Sequence, residues 1–266
     1  MSSLKVFVFI LLAVYLFGGL ALHLLQDQFI FLPERLDPDY QYSFDQNFEE
    51  YNLKMEDGAE INALHFTLPE SKGLIVYFHG NAGNLARWGE IVNPFVEMGY
   101  EVFITDYRGY GKSTGKRSEK AMLKDADEIY TFAKTLEKED RIILFGRSLG
   151  SAFASYITGK NQPQKLILET PFYSLLEVAR GLFPIYPTPL LLSYRFPNHE
   201  YLNDAQIPIF IFHGTDDEVV PYESGIRLAT EFEENSTFIS IQGGHHNDLA
   251  LFEDYWAEME NVLNDE

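Results

Sequence analysis

From residue 74 onward the hydrophobic positions fall into two alternating rhythms. Short, nearly unbroken apolar runs occupy Leu74–His79, Glu101–Thr105, Arg141–Phe145, Lys165–Glu169, Ile207–Phe212 and Thr237–Ile241. Between them lie stretches of helical spacing at 85–98, 118–136, 149–158, 222–233 and 249–263. A strand that is apolar at consecutive positions is covered on both faces. The pattern therefore predicts an α/β fold, a mostly parallel sheet with helices on both sides. Ahead of it, Tyr51–Glu56 and Glu60–Leu68 flank Asp57-Gly58 and predict a hairpin. Ser118 suits a helix N-cap, and Pro221 suits the entry to a first helical turn.

Two segments leave this rhythm. Residues 4–26 carry no charge after Lys5 and are long enough, with their flanks, for a bilayer-crossing helix. A cleaved signal peptide is the competing reading, because Gly19-Leu20-Ala21 resembles a small-x-small cleavage site. The apolar stretch exceeds a typical signal core, so a retained transmembrane anchor is expected. Lys5 and the chain's amine precede the span, whereas Arg35 alone faces Asp27, Glu34, Asp37, Asp39, Asp45, Glu49 and Glu50 after it. The positive-inside rule then puts the N-terminus in the cytoplasm and the main domain on the outer or periplasmic side. Residues 27–50 read as a connector and 51–266 as one folded domain. The second departure, residues 170–206, is too long and too apolar for a plain loop and is expected to form a short cap over a pocket.

Composition narrows the function classes. Forty acidic residues against 20 basic ones give a net charge of −20, which repels phosphate backbones and argues against nucleic acid as a partner. The chain has no cysteine, so disulfides, thiolate metal ligation and a cysteine nucleophile are excluded. No His pair has metal-ligand spacing, and neither a metal site nor a cofactor is predicted. Gly109-Tyr-Gly-Lys-Ser-Thr114 resembles the end of a phosphate-binding loop, but the first glycine such a loop requires would fall at Asp106.

In a parallel sheet, reacting groups gather beyond the carboxyl ends of strands. Gly146-Arg147-Ser148-Leu149-Gly150 follows such a strand and precedes a helix, which suits a nucleophile elbow as well as an ordinary turn. Serine needs an imidazole to take its proton and a carboxylate to orient that imidazole. Asp216 and Asp217 follow the strand ending at Phe212, and His245 and His246 follow the last strand. The order Ser, Asp, His, spaced 217 − 148 = 69 and 246 − 217 = 29 residues, leaves room for the intervening elements. An oxyanion hole would draw on the Leu149 N–H and, from the loop after Leu74–His79, the Asn81 N–H. His79 and His213 each precede a glycine at a strand end and are expected to shape loops.

Taken together, Gln28-Phe-Ile-Phe-Leu-Pro33, Tyr77-Phe-His-Gly-Asn-Ala-Gly-Asn84, Asp106-Tyr-Arg-Gly-Tyr-Gly-Lys-Ser113, Gly146–Gly150, His213-Gly-Thr-Asp-Asp-Glu-Val-Val-Pro221 and His246-Asn-Asp248 resemble the α/β-hydrolases, in particular their single-pass, membrane-tethered serine hydrolases. The resemblance implies Ser148 as nucleophile, Asp217 as triad acid and His246 as base, with His245 an alternative to His246. It implies hydrolysis of an ester, thioester or amide, and the apolar cap beside a membrane span points to a small-molecule or lipid acyl substrate; a serine peptidase or amidase, or a catalytically silent hydrolase-fold binding module, is the alternative. Relatives of this kind include lipid hydrolases and depalmitoylating thioesterases. The latter carry cysteine-rich N-termini that this chain lacks.

Overall fold

Eight strands join into one sheet in the computed structural model, which describes residues 3–265. Met1, whose amine entered the orientation reading, and Glu266, at the end of the expected domain, lie outside these residues. The strands are β1 (Phe48–Lys54), β2 (Glu60–Phe66), β3 (Leu74–Phe78), β4 (Glu101–Thr105), β5 (Ile142–Arg147), β6 (Lys165–Glu169), β7 (Ile209–Gly214) and β8 (Ser236–Ile241). They lie side by side in the order β1-β2-β4-β3-β5-β6-β7-β8. The strand β2 runs antiparallel to β1 and β4, and the other pairings are parallel. The expected α/β-hydrolase architecture is thus the observed one.

The helices are α1 (Ser3–Ile30), α2 (Leu85–Ile91), α3 (Asn93–Glu97), α4 (Glu119–Leu136), α5 (Gly150–Thr158), α6 (Leu175–Leu182), α7 (Thr188–Leu191), α8 (Asn198–Tyr201), α9 (Tyr222–Glu231) and α10 (Glu253–Asn264). The single helix expected over 85–98 is two, broken at Val92, because Pro94 has no N–H to continue the ladder. Alternate residues of the central strands feed opposite layers, as the period of a strand requires. Leu74, Val76, Phe78 and Leu144 pack with Met122, Ile129 and Phe153, whereas Ile75, Tyr77, Ile143 and Phe145 pack with Trp88, Phe95 and Met259.

Leaving β3, the chain crosses first to β4 on one side, and later returns to β5 on the other. That reversal opens a crevice at the carboxyl ends of β3 and β5, where an open α/β sheet binds its ligand. The loops after β3, β5, β7 and β8 all reach this rim.

The apolar helix α1 runs to Ile30, four residues beyond the expected end of the span (30 − 26). There the backbone turns extended, and Leu32-Pro33 pairs with Ala82-Gly83. The segment 170–206 also divides differently from expectation. Phe172, Tyr173, Tyr194, Phe196 and Leu202 are buried in the core, and the Asn198 amide donates to Ser151 Oγ at 2.8 Å and to the Phe172 carbonyl at 2.9 Å. The expected cap reduces to α6, α7 and the turn between them, which are more exposed, although Leu175 and Val178 of α6 still pack against the core. The aromatic anchors at both ends of the segment pull the remainder into the core.

Candidate active site

Ser148 sits on the turn between β5 and α5 with φ = 50°, a left-handed conformation that costs a non-glycine residue on the order of 1–2 kcal/mol. Its N–H donates to the Glu169 carbonyl at 2.8 Å, and its own carbonyl accepts from the Ser151 N–H at 2.9 Å. The flanking glycines are required by close approach. A Cβ on Gly146 would stand 2.7 Å from the Gly150 carbonyl oxygen, and one on Gly150 would collide with the Phe78 carbonyl on β3. The serine is thereby driven up from the rim while the helix is packed hard against the sheet.

His246 Nδ1 lies 2.8 Å from Asp217 Oδ2, and His246 Nε2 lies 2.9 Å from Ser148 Oγ. An ionised carboxylate only accepts, so the imidazole proton sits on Nδ1 and Nε2 is free to accept from the serine hydroxyl. The other Asp217 oxygen accepts from the Val219 and Val220 N–H groups, each at 2.8 Å. Burial alone would raise the Asp217 pKa. The hydrogen bonds from His213, from His246 and from the Val220 amide outweigh it and hold the carboxyl well below the usual carboxylate range.

The neighbouring histidine goes elsewhere. His245 is exposed, and its Nδ1 meets Glu218 at 3.0 Å. Of the two candidates for the base, the loop brings His246 to the serine and turns His245 to solvent. Asp216 is likewise outward, its N–H donating to the Gly244 carbonyl at 3.0 Å.

Three groups that sequence reasoning did not place in the site support this cluster, two of them the histidines expected to shape loops. His213 Nε2 lies 3.0 Å from the Val220 carbonyl and 3.2 Å from Asp217 Oδ2, both acceptors, so it carries a proton and gives the carboxylate a second imidazole partner. Beneath the elbow, buried Arg147 pairs with buried Glu169 at 3.0 Å, and the Tyr255 hydroxyl donates to Glu169 at 2.8 Å. Removing one member of such a pair costs about 3–5 kcal/mol, because the other charge is left buried and alone. His79 is the third. Its Nδ1 donates to the Gly80 carbonyl at 2.6 Å, and across a trans peptide this turns the Asn81 N–H to the opposite side. The Asn81 carbonyl is pinned in turn by the Leu32 N–H at 2.9 Å and the Tyr110 hydroxyl at 2.7 Å. Among the described residues, neither the Asn81 nor the Leu149 N–H has an acceptor.

Ser148, Asn81 and Leu149 open onto a cavity of about 410 Å³. Its walls are apolar side chains of the cap, including Leu175, Val178, Leu182 and Leu191, together with Val219 and Val220. They also include Leu22, Gln26, Phe29 and Ile30 of α1. That contribution was not foreseen. The signal for it is a few polar side chains within an apolar helix, Gln26 among the cavity's own walls.

Residues 69–192 match the family described as Hydrolase_4, serine aminopeptidase, S33. An uncharacterized protein of Acanthamoeba polyphaga mimivirus is 32% identical over 246 residues, 83% of this chain and 82% of its own length. An uncharacterized membrane protein of Saccharomyces cerevisiae is 31% identical over 225 residues, 81% of this chain and 79% of its own. Among solved structures, a Pyrococcus furiosus esterase superposes with a TM-score of 0.71 at 19% identity, covering 88% of this chain and 97% of that one.

Proposed function

The chain belongs to the α/β-hydrolase family, and on that premise we propose that it is a membrane-anchored serine hydrolase that cleaves carboxylic esters or thioesters of acyl chains. One observation carries the reading: the unbroken hydrogen-bond chain from Asp217 through His246 to Ser148 at the mouth of an apolar cavity. In the first step His246 Nε2 takes the hydroxyl proton as Ser148 Oγ attacks the substrate's carbonyl carbon. The oxyanion accepts from the Asn81 and Leu149 N–H groups. Collapse breaks the bond to the leaving oxygen or sulfur, which receives the proton from His246, and leaves an acyl-serine ester. Water then attacks that ester and passes its proton to His246. Ser148 departs with that proton, and the free acid is released.

The apolar walls suit an acyl chain. The description of the matched family favours a second reading, a peptidase or amidase. Against it, among the described residues Glu218 is the one carboxylate that lines the cavity to meet a substrate ammonium, and His245 already engages it. Membrane anchoring draws support from α1, 28 residues or about 42 Å long against a hydrocarbon layer of about 30 Å, and from the name of the yeast relative.

A fluorophosphonate probe tests the nucleophile. Wild type is expected to label covalently and Ser148→Ala not at all; a folded wild type that resists the probe overturns the proposal. Hydrolysis of p-nitrophenyl esters of increasing chain length, in preference to aminoacyl-anilides, is expected to separate acyl hydrolysis from peptidase action.

A further inference from the structure

The cap and α1 share a seam whose chemistry belongs to lipid rather than water. After Lys5, the first three polar side chains of α1 are Tyr15, His23 and Gln26, and all three turn toward the cap backbone. The Tyr15 hydroxyl donates to the Ile185 carbonyl at 3.0 Å. His23 Nδ1 donates to the Leu191 carbonyl at 2.7 Å. Gln26 donates from Nε2 to Ser193 Oγ at 3.2 Å, and its Oε1 accepts from the Ser193 N–H at 2.6 Å. The rings of Tyr15 and Tyr186 stack at 4.9 Å, over the bare backbone at Gly18 and Gly19.

This seam fixes the depth of the cap. Ten residues separate Tyr15 from Lys5 (15 − 5) and ten separate it from Leu25 (25 − 15), so in a span of about 20 residues it sits near mid-bilayer. The cap turn that touches Tyr15 then lies about 10 Å below the level of Leu22, by the rise of a helix. Its composition fits that depth. From Gly181 to Tyr194 the cap carries no charged residue, and Leu182, Ile185 and Leu190 expose 67%, 70% and 81% of their surface. Non-helical backbone survives in hydrocarbon only where its polar groups find partners. Pro184, Pro187 and Pro189 bring no N–H, and Tyr15, His23 and Gln26 occupy carbonyls that water would otherwise solvate.

We infer that the cap is immersed in the hydrocarbon layer beside α1, and that the cavity between them admits its substrate sideways from the bilayer, as the acyl chain of a membrane-resident ester or thioester. Resting on the serine-hydrolase reading, the inference adds the source of the substrate and gives the anchor a second task as a wall of the acyl site. The scissile carbonyl lies at Ser148, which lines the same cavity, while the tail extends along the apolar walls toward the lipid.

Full-length protein reconstituted in phosphatidylcholine vesicles tests this in two ways. The absence of native cysteine allows single spin labels at Ile185→Cys and Leu190→Cys, with Thr135→Cys on the exposed side of α4 as the aqueous control. The cap labels are expected to collide more with oxygen than with a water-soluble nickel chelate, and the control label the reverse. Nickel-dominated collisions at both cap positions overturn the inference. In the second test, Ile185→Glu and Leu190→Glu, neither of which lines the cavity, are expected to lose at least tenfold activity toward a long-chain fluorogenic ester embedded in the vesicles. Turnover of a water-soluble butyrate ester and fluorophosphonate labelling are expected to persist. Equal activity of variant and wild type on the embedded ester overturns lateral entry while leaving the hydrolase reading intact. A wild type inert to the probe sinks that reading, and the spin labels still report whether the cap is immersed.

Discussion

The rim of the sheet and the seam between cap and α1 meet at one cavity, yet they are built by opposite means. At the rim, backbone approaches backbone so closely that Gly146 and Gly150 leave no space for a methyl group, and the charged side chains beneath are buried in pairs. At the seam the closest approaches are between a helix backbone and the far end of a tyrosine ring, and the surrounding side chains are apolar and exposed. A reacting centre needs atoms held to a fraction of an ångström, which close packing and saturated hydrogen bonds supply. An apolar wall has only to exclude water, and contact area suffices for that. The difference accounts for a closely packed rim beside a cavity wall that needs only apolar contact.

The largest expected effects fall on the rim. His246→Ala and Asp217→Asn are each expected to lower kcat by about 10⁴-fold or more, the first by removing the proton acceptor and the second by releasing the imidazole tautomer. His245→Ala is expected to leave turnover unchanged, since its ring faces Glu218 and solvent. Steady-state kinetics on a soluble butyrate ester checks all three. Comparable losses from both histidines would mean that the rim is not held as tightly as its hydrogen bonds indicate.

Substitution of glycine by alanine compares the two regions directly. In Gly150→Ala the new methyl meets the Phe78 carbonyl on β3, a backbone group with nowhere to go, and the expected cost exceeds about 4 kcal/mol. In Gly18→Ala it meets the hydroxyl end of Tyr186, which can swing aside. There the improved helix propensity, roughly 1 kcal/mol, offsets the lost stacking. Thermal unfolding in detergent is expected to find Gly150→Ala unfolded or melting far below wild type, and Gly18→Ala within a few degrees of it. A seam as intolerant as the rim would erase the contrast.

Sequence reasoning reached the rim and stopped short of the seam for a physical reason. Strand, loop and helix succeed each other along the chain with their own punctuation, so the loops bearing Ser148, Asp217 and His246 could be placed once the alternation was recognised. The choice of His246 over its neighbour rested on the resemblance alone, with His245 left as an alternative. That choice depends on the fold of the loop, where the His245 N–H is taken by Asp248 at 2.6 Å and the Gly244 carbonyl by Asp216. The Leu22, Gln26 and Phe29 wall was also hidden. A helix apolar on every side shows no face by periodicity, and its partner lies more than 150 residues away. His213 was read as a loop-shaping residue; its second role on Asp217 depends on a contact across the same turn.

The smallest expected effect belongs to the exposed member of two neighbouring carboxylate–imidazole pairs, Asp217 with His246 and Glu218 with His245. Their separations, 2.8 and 3.0 Å, are nearly equal. Their settings are not, because the Asp217 side chain is fully buried whereas Glu218 and His245 are exposed. The hydrogen bond to Glu218 raises the His245 pKa, while the Glu218 backbone N–H and His245 lower that of Glu218. The signs follow from linkage. Whatever His245 contributes is complete below its unfolded value of about 6.5 and fades as pH rises through the higher folded value. Glu218 contributes above its unfolded value of about 4.3 and fades as pH falls through the lower folded one. Solvent screens both, so wild type and His245→Gln are expected to melt together across that window. The pair remains visible to a site-specific probe: in an NMR titration, Glu218→Gln is expected to bring the His245 midpoint down toward 6.5. A midpoint that does not move would show that the exposed pair does not form in solution, and the carboxylate–imidazole contacts held at this rim would then be those of buried Asp217 with His246 and His213.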